Sequence, residues 1–198
     1  MRGWFAYKDI TTQQHDDVAD VFKTLFNNVQ PKRILEIGTA YGGLTLLLRD
    51  LLDENNLSDC EIRSYDVIDK HYLHSHIENG IKIDVRIEDI FNHQYDTLTN
   101  DQISEFIQGE GTTLVLCDGG SKKNEFRILS KFLKKGDVIM AHDYSPNQEY
   151  FDTHIKDNVW GWLEIQDSDI NESCTENNLV PYMAEEFTQV VWACRIKE

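Results

Sequence analysis

The sequence predicts an α/β fold, a doubly wound and mostly parallel sheet, and three observations carry that prediction. Short apolar runs alternate with helix-periodic segments from residue 33 to about residue 145. The first run, Ile34-Leu35-Glu36-Ile37, breaks at Gly38-Thr39-Ala40-Tyr41-Gly42-Gly43 and resumes as Leu44, Leu46, Leu47 and Leu48, which reads as strand, glycine turn and helix. Polar or acidic residues end the successive runs: Glu36 in the first, then Asp66, Glu88-Asp89, Asp118 and His142-Asp143. In sheets of this type ligands bind at the C-terminal strand edge.

The glycine turn brings bare backbone close to a ligand at a helix N-terminus, where a Cβ would block the approach. Two ligand classes use this layout. A dinucleotide site wants G-x-G-x-x-G, and here that frame reads Gly38-x-Ala40-x-x-Gly43. S-adenosylmethionine (SAM) has no phosphates but carries an α-amino group and a sulfonium, so a carboxylate near the turn serves it. Glu36 fits that role, because an acid inside an apolar strand is costly unless paired or aimed at a ligand. The alternative is a tight strand–helix turn without a ligand.

At 198 residues the chain is expected to be a single domain with a full core. Hydrophobic content of 40%, with 11% aromatic, is that of a globular chain. No apolar run approaches the ~20 residues of a membrane span. The start, Met1-Arg2-Gly3-Trp4-Phe5, lacks the apolar core of a signal peptide, so a cytoplasmic protein without membrane contact is expected. Net charge is −16, from 35 acids against 19 bases, which argues against nucleic acid as a bulk partner. Cys60, Cys117, Cys174 and Cys194 are scattered without C-x-x-C, as expected of reduced thiols.

In order, Trp4 to Ile10 is a short aromatic lead, and Thr11-Thr12 can cap a helix over about Gln13–Asn28. Its apolar face is Val18, Val21, Phe22, Leu25 and Phe26. Gln13, Gln14 and His15 at its start can lie over the ligand, or form a solvated cap, the preferred reading. The helix after the glycine turn runs to about Glu54. Ile62 to Ile68 is the second strand. Asp66 near its end, beside Val67, is placed to accept both ribose hydroxyls, as in nicotinamide and SAM proteins alike. His71, His74 and His76 match no familiar zinc spacing and read as a solvated helix start or loop. The third strand lies near Ile81–Ile87 and ends at Glu88-Asp89. A helix over Leu98–Gln108 follows, then a strand over Thr113–Cys117 ending at Asp118. Asn124–Leu133 is the next helix, and Asp137–Tyr144 the fifth strand. Beyond it, Tyr150–Asn158 reads as helix, Trp160–Ile165 as strand-like, Asp167–Glu176 as a polar loop over the site, and Phe187–Arg195 as a strand. The last two strands form a hairpin-like pair closing the sheet.

Asp118 and Asp143 end two strands joined by one helix, so a right-handed crossover sets them side by side. Paired oxygens there suit a hard divalent ion such as Mg²⁺, with His142 a further ligand or a general base. The competing reading has Asp118 contact only the cofactor and His142 cap Tyr144 or the loop.

The stretches E-I-G-T-A-Y-G-G, D-G-G-S-K and M-A-H-D-Y resemble the class I SAM-dependent methyltransferases, closest to the macrocin- and rhamnosyl-type O-methyltransferases and the proteins called cephalosporin hydroxylases. The resemblance covers roughly Thr12 to Asn147. It implies a Rossmann-like fold with a seven-stranded sheet and an antiparallel C-terminal strand. SAM would lie against Glu36, Gly38, Thr39, Ala40, Tyr41, Gly42, Asp66, Val67 and Asp118, with Asp89 reaching the adenine amino group. Magnesium would sit at Asp118 and Asp143 with His142, and the reaction would be O-methylation of a hydroxyl on a small molecule or sugar. Two departures stand out. The family often has D-G-D-H where this chain has Asp118-Gly119-Gly120-Ser121, and an acidic pair where it has His142-Asp143. They leave the base and the metal shell open. Lys122 or Lys123 can replace the missing histidine as base where burial lowers its pKa; otherwise either is a solvated helix-start lysine.

Three readings follow: a metal-assisted SAM-dependent O-methyltransferase, a SAM-binding protein of the same fold without catalysis, and an NAD-dependent oxidoreductase, which Ala40 disfavours. Residues 1–30 form a helical lead, and 145–186 are expected to be substrate-facing insertions. A homo-oligomer is compatible with all three readings.

Overall fold

The computed structural model describes residues 4–198; Met1-Arg2-Gly3, part of the stretch read for a signal sequence, lies outside them. Seven strands build the central sheet: β1 (Arg33–Ile37), β2 (Glu61–Asp66), β3 (Asp84–Ile87), β4 (Thr113–Cys117), β5 (Val138–His142), β6 (Leu179–Pro181) and β7 (Trp192–Lys197). Their order is β6-β7-β5-β4-β1-β2-β3. Strands β1 to β5 run parallel, and β7 runs antiparallel to both β5 and β6. The predicted doubly wound sheet and its antiparallel C-terminal strand are both present.

The chain winds one way from β1 to β3 and then crosses to β4 on the other side of β1, which makes β1 the switch point. Pairing of Ile37 with Tyr65 on one flank and Cys117 on the other levels the three strand ends. Gly38, Asp66 and Asp118 therefore emerge side by side.

Strands β1, β4 and β5 are almost wholly buried, as their apolar sequences require of strands covered on both faces. On one face lie α1 (Val18–Val29) and α2 (Gly43–Glu54), whose Phe22, Leu25, Phe26, Leu48 and Leu52 pack on Ile34, Leu114 and Val138. On the other lie α4 (Gln102–Gln108) and α5 (Lys122–Leu129), whose Ile103, Phe106, Phe126 and Leu129 pack on Leu35, Val115 and Ile139. The short α3 (His74–Glu78) precedes β3. No helix among the described residues is long and apolar enough to cross a membrane.

Five elements differ from expectation. Helix α1 starts at Val18, not Gln13, because residues Ala6–Tyr7 and Ile10–Thr11 form a hairpin. It is closed by Thr12, whose N–H and hydroxyl both donate to the Phe5 carbonyl. The helix expected over Tyr150–Asn158 is α6 (Gln148–Tyr150) running into a π turn, Phe151–Ile155. Of the strand-like Trp160–Ile165 only the end is extended: Ile165 and Gln166 pair with Tyr144 and Ser145, and the partner of β7 is β6 instead. The polar stretch after it is helix α7 (Asp167–Glu176), started by a capping box in which Gln166 and Asp169 bond reciprocally. Finally, Phe187–Arg195 is not one strand. Helix α8 (Ala184–Gln189) takes its first part, and Val191, at φ 58°, turns the chain into β7.

Beneath the glycine turn, Glu36 is fully buried. Strand alternation points it toward α2, where it accepts from Thr45 Oγ1 at 2.6 Å and Ser64 Oγ at 2.5 Å. It ties β1, β2 and α2 together. Its Oε1 has no partner among the described residues. Burial raises its pKa to about 7, against the lowering effect of the two hydroxyls.

Two predictions follow from this frame. Gly38 has φ +94°, and a Cβ there would lie 2.3 Å from the Asp118 carbonyl oxygen, whereas Gly136, at φ +88°, faces open space. Gly38→Ala should cost ~3 kcal/mol or more in urea unfolding and Gly136→Ala ~1 kcal/mol, the strain of the left-handed backbone alone; equal costs would remove the contact from the argument. For Glu36, a folded-state pKa above the unfolded value gives stability that is full below about pH 4.5 and lost as pH rises to about 7. Relative to wild type, Glu36→Gln should therefore gain on the order of 3 kcal/mol between about pH 4.5 and pH 7.5. A difference constant across pH would mean that Glu36 is ionised throughout.

Candidate functional site

A cleft of ≈ 440 Å³ opens over the C-terminal ends of the strands, within the range of about 300–1,000 Å³ usual for small-molecule sites. Of the predicted cofactor residues, Gly38, Thr39, Ala40, Asp66, Val67, Asp89 and Asp118 line it. Glu36, Tyr41 and Gly42 do not. Glu36 lies under the turn, Tyr41 stacks on Tyr72 with ring centroids 6.0 Å apart, and Gly42 closes against the Leu73 side chain.

The turn satisfies its own backbone. Gly38 N and Thr39 N donate to the Tyr65 carbonyl at 2.7 and 3.3 Å, and Gly42 N donates to Thr39 O at 2.8 Å. Ala40, in the left-handed region at φ 47°, donates its N–H to Asp66 Oδ2 at 2.8 Å, and Asp66 Oδ1 accepts from Ile68 N. The N–H groups of Gly38, Thr39, Ala40 and Gly42 are thus already engaged within the protein. Asp66 keeps acceptor capacity, because each carboxylate oxygen has two lone pairs. Asp89 accepts from Phe91 N, two residues on, at 3.0 Å in a local turn.

At the other end of the cleft, Asp118, His142 and Asp143 converge. One ligand atom from each lies within 4.8 Å of the others, as the crossover argument requires. The ends of β4 and β5 supply them, and the left-handed Asp143 (φ 56°) turns its carboxylate back beside His142. The cluster is filled by neighbours. His142 Nδ1 lies 3.1 Å from Asp118 Oδ1, and Gln14 Nε2 donates to Asp118 Oδ2 at 2.9 Å. Trp160 Nε1 donates to Asp143 Oδ1 at 2.5 Å. Lys122 Nζ lies 2.8 Å from Glu164 Oε2, 3.0 Å from Asp143 Oδ2, 3.1 Å from the Gly119 carbonyl and 3.7 Å from Asp118 Oδ1.

The electrostatics follow from this packing. Burial alone would lower the Lys122 pKa, but Asp118 and Asp143 outweigh it and raise it, so the ammonium is locked in its charged form. That corrects the expectation of Lys122 as a base or a solvated lysine: it is 6% exposed. Lys123 instead points away, paired with Asp169 at 2.9 Å. Burial works against the charged form of His142 too, yet Asp118 and Asp143 hold its pKa above the ordinary value. Its Nδ1 faces these acids, while Nε2 is buried without a partner among the described residues, the ring lying against Trp192 and Trp160. Neither nitrogen is presented to an acceptor, which speaks against His142 as the base. Burial pushes Asp143 upward, but His142, Lys122 and the Trp160 N–H hold it below the usual carboxylate range.

Several side chains of this site carried no sequence signal. Gln14 is buried and links Asp118 to Trp192 Nε1 at 2.9 Å, so the solvated-cap reading of the helix start is corrected. Trp160 and Glu164 arrive on an irregular segment. Glu125, four residues beyond Ser121, accepts from Gly119 N and Ser121 N at 3.1 and 2.9 Å, and burial raises its pKa to about 7. A first-turn acid after D-G-G-S was the one available hint.

The histidine segment forms a second convergence, of Asp69, His71 and His74. His71 Nδ1 accepts from Leu73 N at 3.2 Å, which puts the ring proton on Nε2, facing Asp69 at 3.7 Å. A metal at that nitrogen would have to displace the proton and break the acceptor role of Nδ1; His74 and His76 lie in α3, the expected helix start, whereas His71 is buried and not solvated.

No family model matches the sequence, and no curated protein matches it. Solved structures do match the fold. CmcI in its apo form superposes with a TM-score of 0.66 over 98% of this chain and 76% of its own, at 16% identity. CmcI with Mg and SAM gives 0.63 over 97% and 76%, at 14% identity. A candidate caffeoyl-CoA O-methyltransferase from Staphylococcus aureus gives 0.56 over 91% and 83%, at 13% identity. With its strand order and antiparallel β7, the chain has the Rossmann-like fold of class I SAM-dependent methyltransferases.

Proposed function

We propose that the chain binds SAM in this cleft and transfers its methyl group to a hydroxyl oxygen of a small molecule. The observation that carries the cofactor reading is the self-bonded glycine turn beside Asp66. Four of its N–H groups, of Gly38, Thr39, Ala40 and Gly42, are already bonded, while Asp66 retains acceptors for two ribose hydroxyls. The exposed side chains of Val67 and Ile68, facing Ile90 and Phe91, supply an apolar slot for adenine, with Asp89 at its rim.

The acceptor side of the cleft is aromatic. Trp4 stacks on Trp162 with centroids 6.0 Å apart, and Trp160 lies 5.5 Å from Trp162. Such walls take aromatic rings or the apolar faces of sugars. The net charge of −16 supports a small molecule over nucleic acid. Bound SAM would supply an electrophilic methyl group to a hydroxyl seated there and leave as S-adenosylhomocysteine (SAH), and the hydroxyl proton would go to a carboxylate lining the cleft. The ring of charges around Lys122 sets the local field that the acceptor oxygen meets.

One observation favours a second reading, SAM binding without turnover: both sequence-predicted bases, His142 and Lys122, are tied up. Methyl transfer to any acceptor from a panel of phenols and sugars separates the two readings.

Calorimetry tests the cofactor directly. SAH should bind in the micromolar range, about −8 kcal/mol, with no comparable NAD binding. Asp66→Ala should weaken SAH by ~1.5–3 kcal/mol through loss of charged hydrogen bonds. NAD binding without SAH binding would overturn the proposal, and an unchanged Asp66→Ala affinity would take that residue out of the site.

A further inference from the structure

A cation already sits where a divalent ion would go. The fold neighbour CmcI is solved with Mg and SAM, and in this chain the ends of β4 and β5 present Asp118, His142 and Asp143 within 4.8 Å of one another. Read alone, that donor set is a magnesium site. Read with its neighbours, it is not.

Each carboxylate oxygen of the pair is engaged. Asp118 Oδ2 accepts from Gln14, and Asp118 Oδ1 faces His142 at 3.1 Å. Asp143 Oδ1 accepts from Trp160, and Asp143 Oδ2 faces the Lys122 ammonium at 3.0 Å. These donors are not mobile surface groups. Gln14 is 1% exposed, His142 2% and Trp160 3%. Lys122 is held as firmly. Its three N–H donors match three near oxygens, those of Glu164, Asp143 and Gly119. Magnesium demands oxygens at about 2.0–2.1 Å and keeps several waters. An ion that close to Asp118 and Asp143 would share its space with a buried ammonium, and like charges repel strongly where water is excluded.

We infer that Lys122 is the resident cation of this site, replacing the divalent ion with a covalently attached ammonium, and that the cluster of Asp118, His142 and Asp143 is closed to metals. The magnesium expected from the sequence therefore does not fit the side chains present. The chemical role that the ion would have, setting positive charge beside an acceptor oxygen, falls to the lysine. Glu164, half-exposed at the cleft rim, is the partner an incoming anionic oxygen can displace from Nζ. The exclusion of metal rests on the geometry alone; only the role toward an acceptor rests on the methyltransferase reading.

The test measures ion binding to the whole chain, without cofactor or substrate, by electron paramagnetic resonance of Mn²⁺. Wild type should bind no Mn²⁺ at up to ~1 mM. Lys122→Ala leaves two acids and a histidine without their counter-ion. It should bind Mn²⁺ at least about tenfold more tightly, and Asp143→Asn added to it should abolish the gain. Lys122→Gln serves as the second variant, and circular dichroism establishes that each is folded. Mn²⁺ binding by wild type that Asp143→Asn removes would overturn the inference, as would a folded Lys122→Ala with no gain. Should neither lysine variant fold, the wild-type measurement decides alone: no binding supports the inference, binding overturns it. SAH affinity, measured separately, reads the cofactor proposal and does not enter this outcome.

Discussion

The backbone of Gly38 approaches the Asp118 carbonyl so closely that no side chain fits between them. The rest of the site depends on that contact. It holds the end of β1 level with the end of β4, and the turn after β1 is thereby fixed over the cleft. Asp66 on the opposite flank bonds back to Ala40, so three strand ends are pinned to one turn. Below it, Glu36 braces the same junction from inside, at the cost of burying a carboxyl with an unpaired oxygen. The floor of the pocket is set by the ends of a packed sheet, at Ile37, Tyr65, Asp66 and His142, while loop residues such as Trp4, Ile68 and Trp162 complete its walls.

The site has two electrostatic halves. Around the turn, four backbone N–H groups are bonded to the Tyr65 and Thr39 carbonyls and to Asp66, and Asp66 and Asp89 stand beside it to address a ligand. Around Lys122 the charges are dense but mutually compensated: three carboxylates face one ammonium and one imidazole. Such a buried network gives little net stability, since desolvation offsets the attraction. Its value is orientation, since every member fixes its neighbours in place and removing one leaves the others unpaired.

What the sequence made legible was what repeats with a period. The apolar runs of β1, β4 and β5 and the face of α1 located the core, and the residues ending each run located the cleft. Asp118, His142 and Asp143 were brought together by topology alone, a consequence of one right-handed crossover. What stayed hidden had no period. Trp160 and Glu164 reach the cluster from an irregular segment, and nothing in their local sequence marks them; Gln14 is legible only as one of three polar residues at the helix start able to lie over the ligand. The charge state of Lys122 was misjudged for the same reason: burial and partners decide it, and these come from three separate stretches of chain. The capping box at Gln166 and Asp169 was readable in principle, but the polar stretch after it looked like loop because its apolar face is narrow, with Ile170 its one fully buried apolar side chain.

The link from Gln14 to both Asp118 and Trp192 has a consequence for how the protein comes into being. One bond joins residues 178 positions apart in the chain. Strand β7 must insert beside β5 before Trp192 can reach Gln14, so a growing chain that has not yet reached β7 carries the glycine turn and Asp66 yet has an unclosed charge cluster. Closing contacts so distant in sequence is slow compared with forming the local strand–helix units. The half of the cleft around the turn therefore exists before the half around Lys122, and a growing polypeptide on the ribosome passes through a stage with one half and not the other.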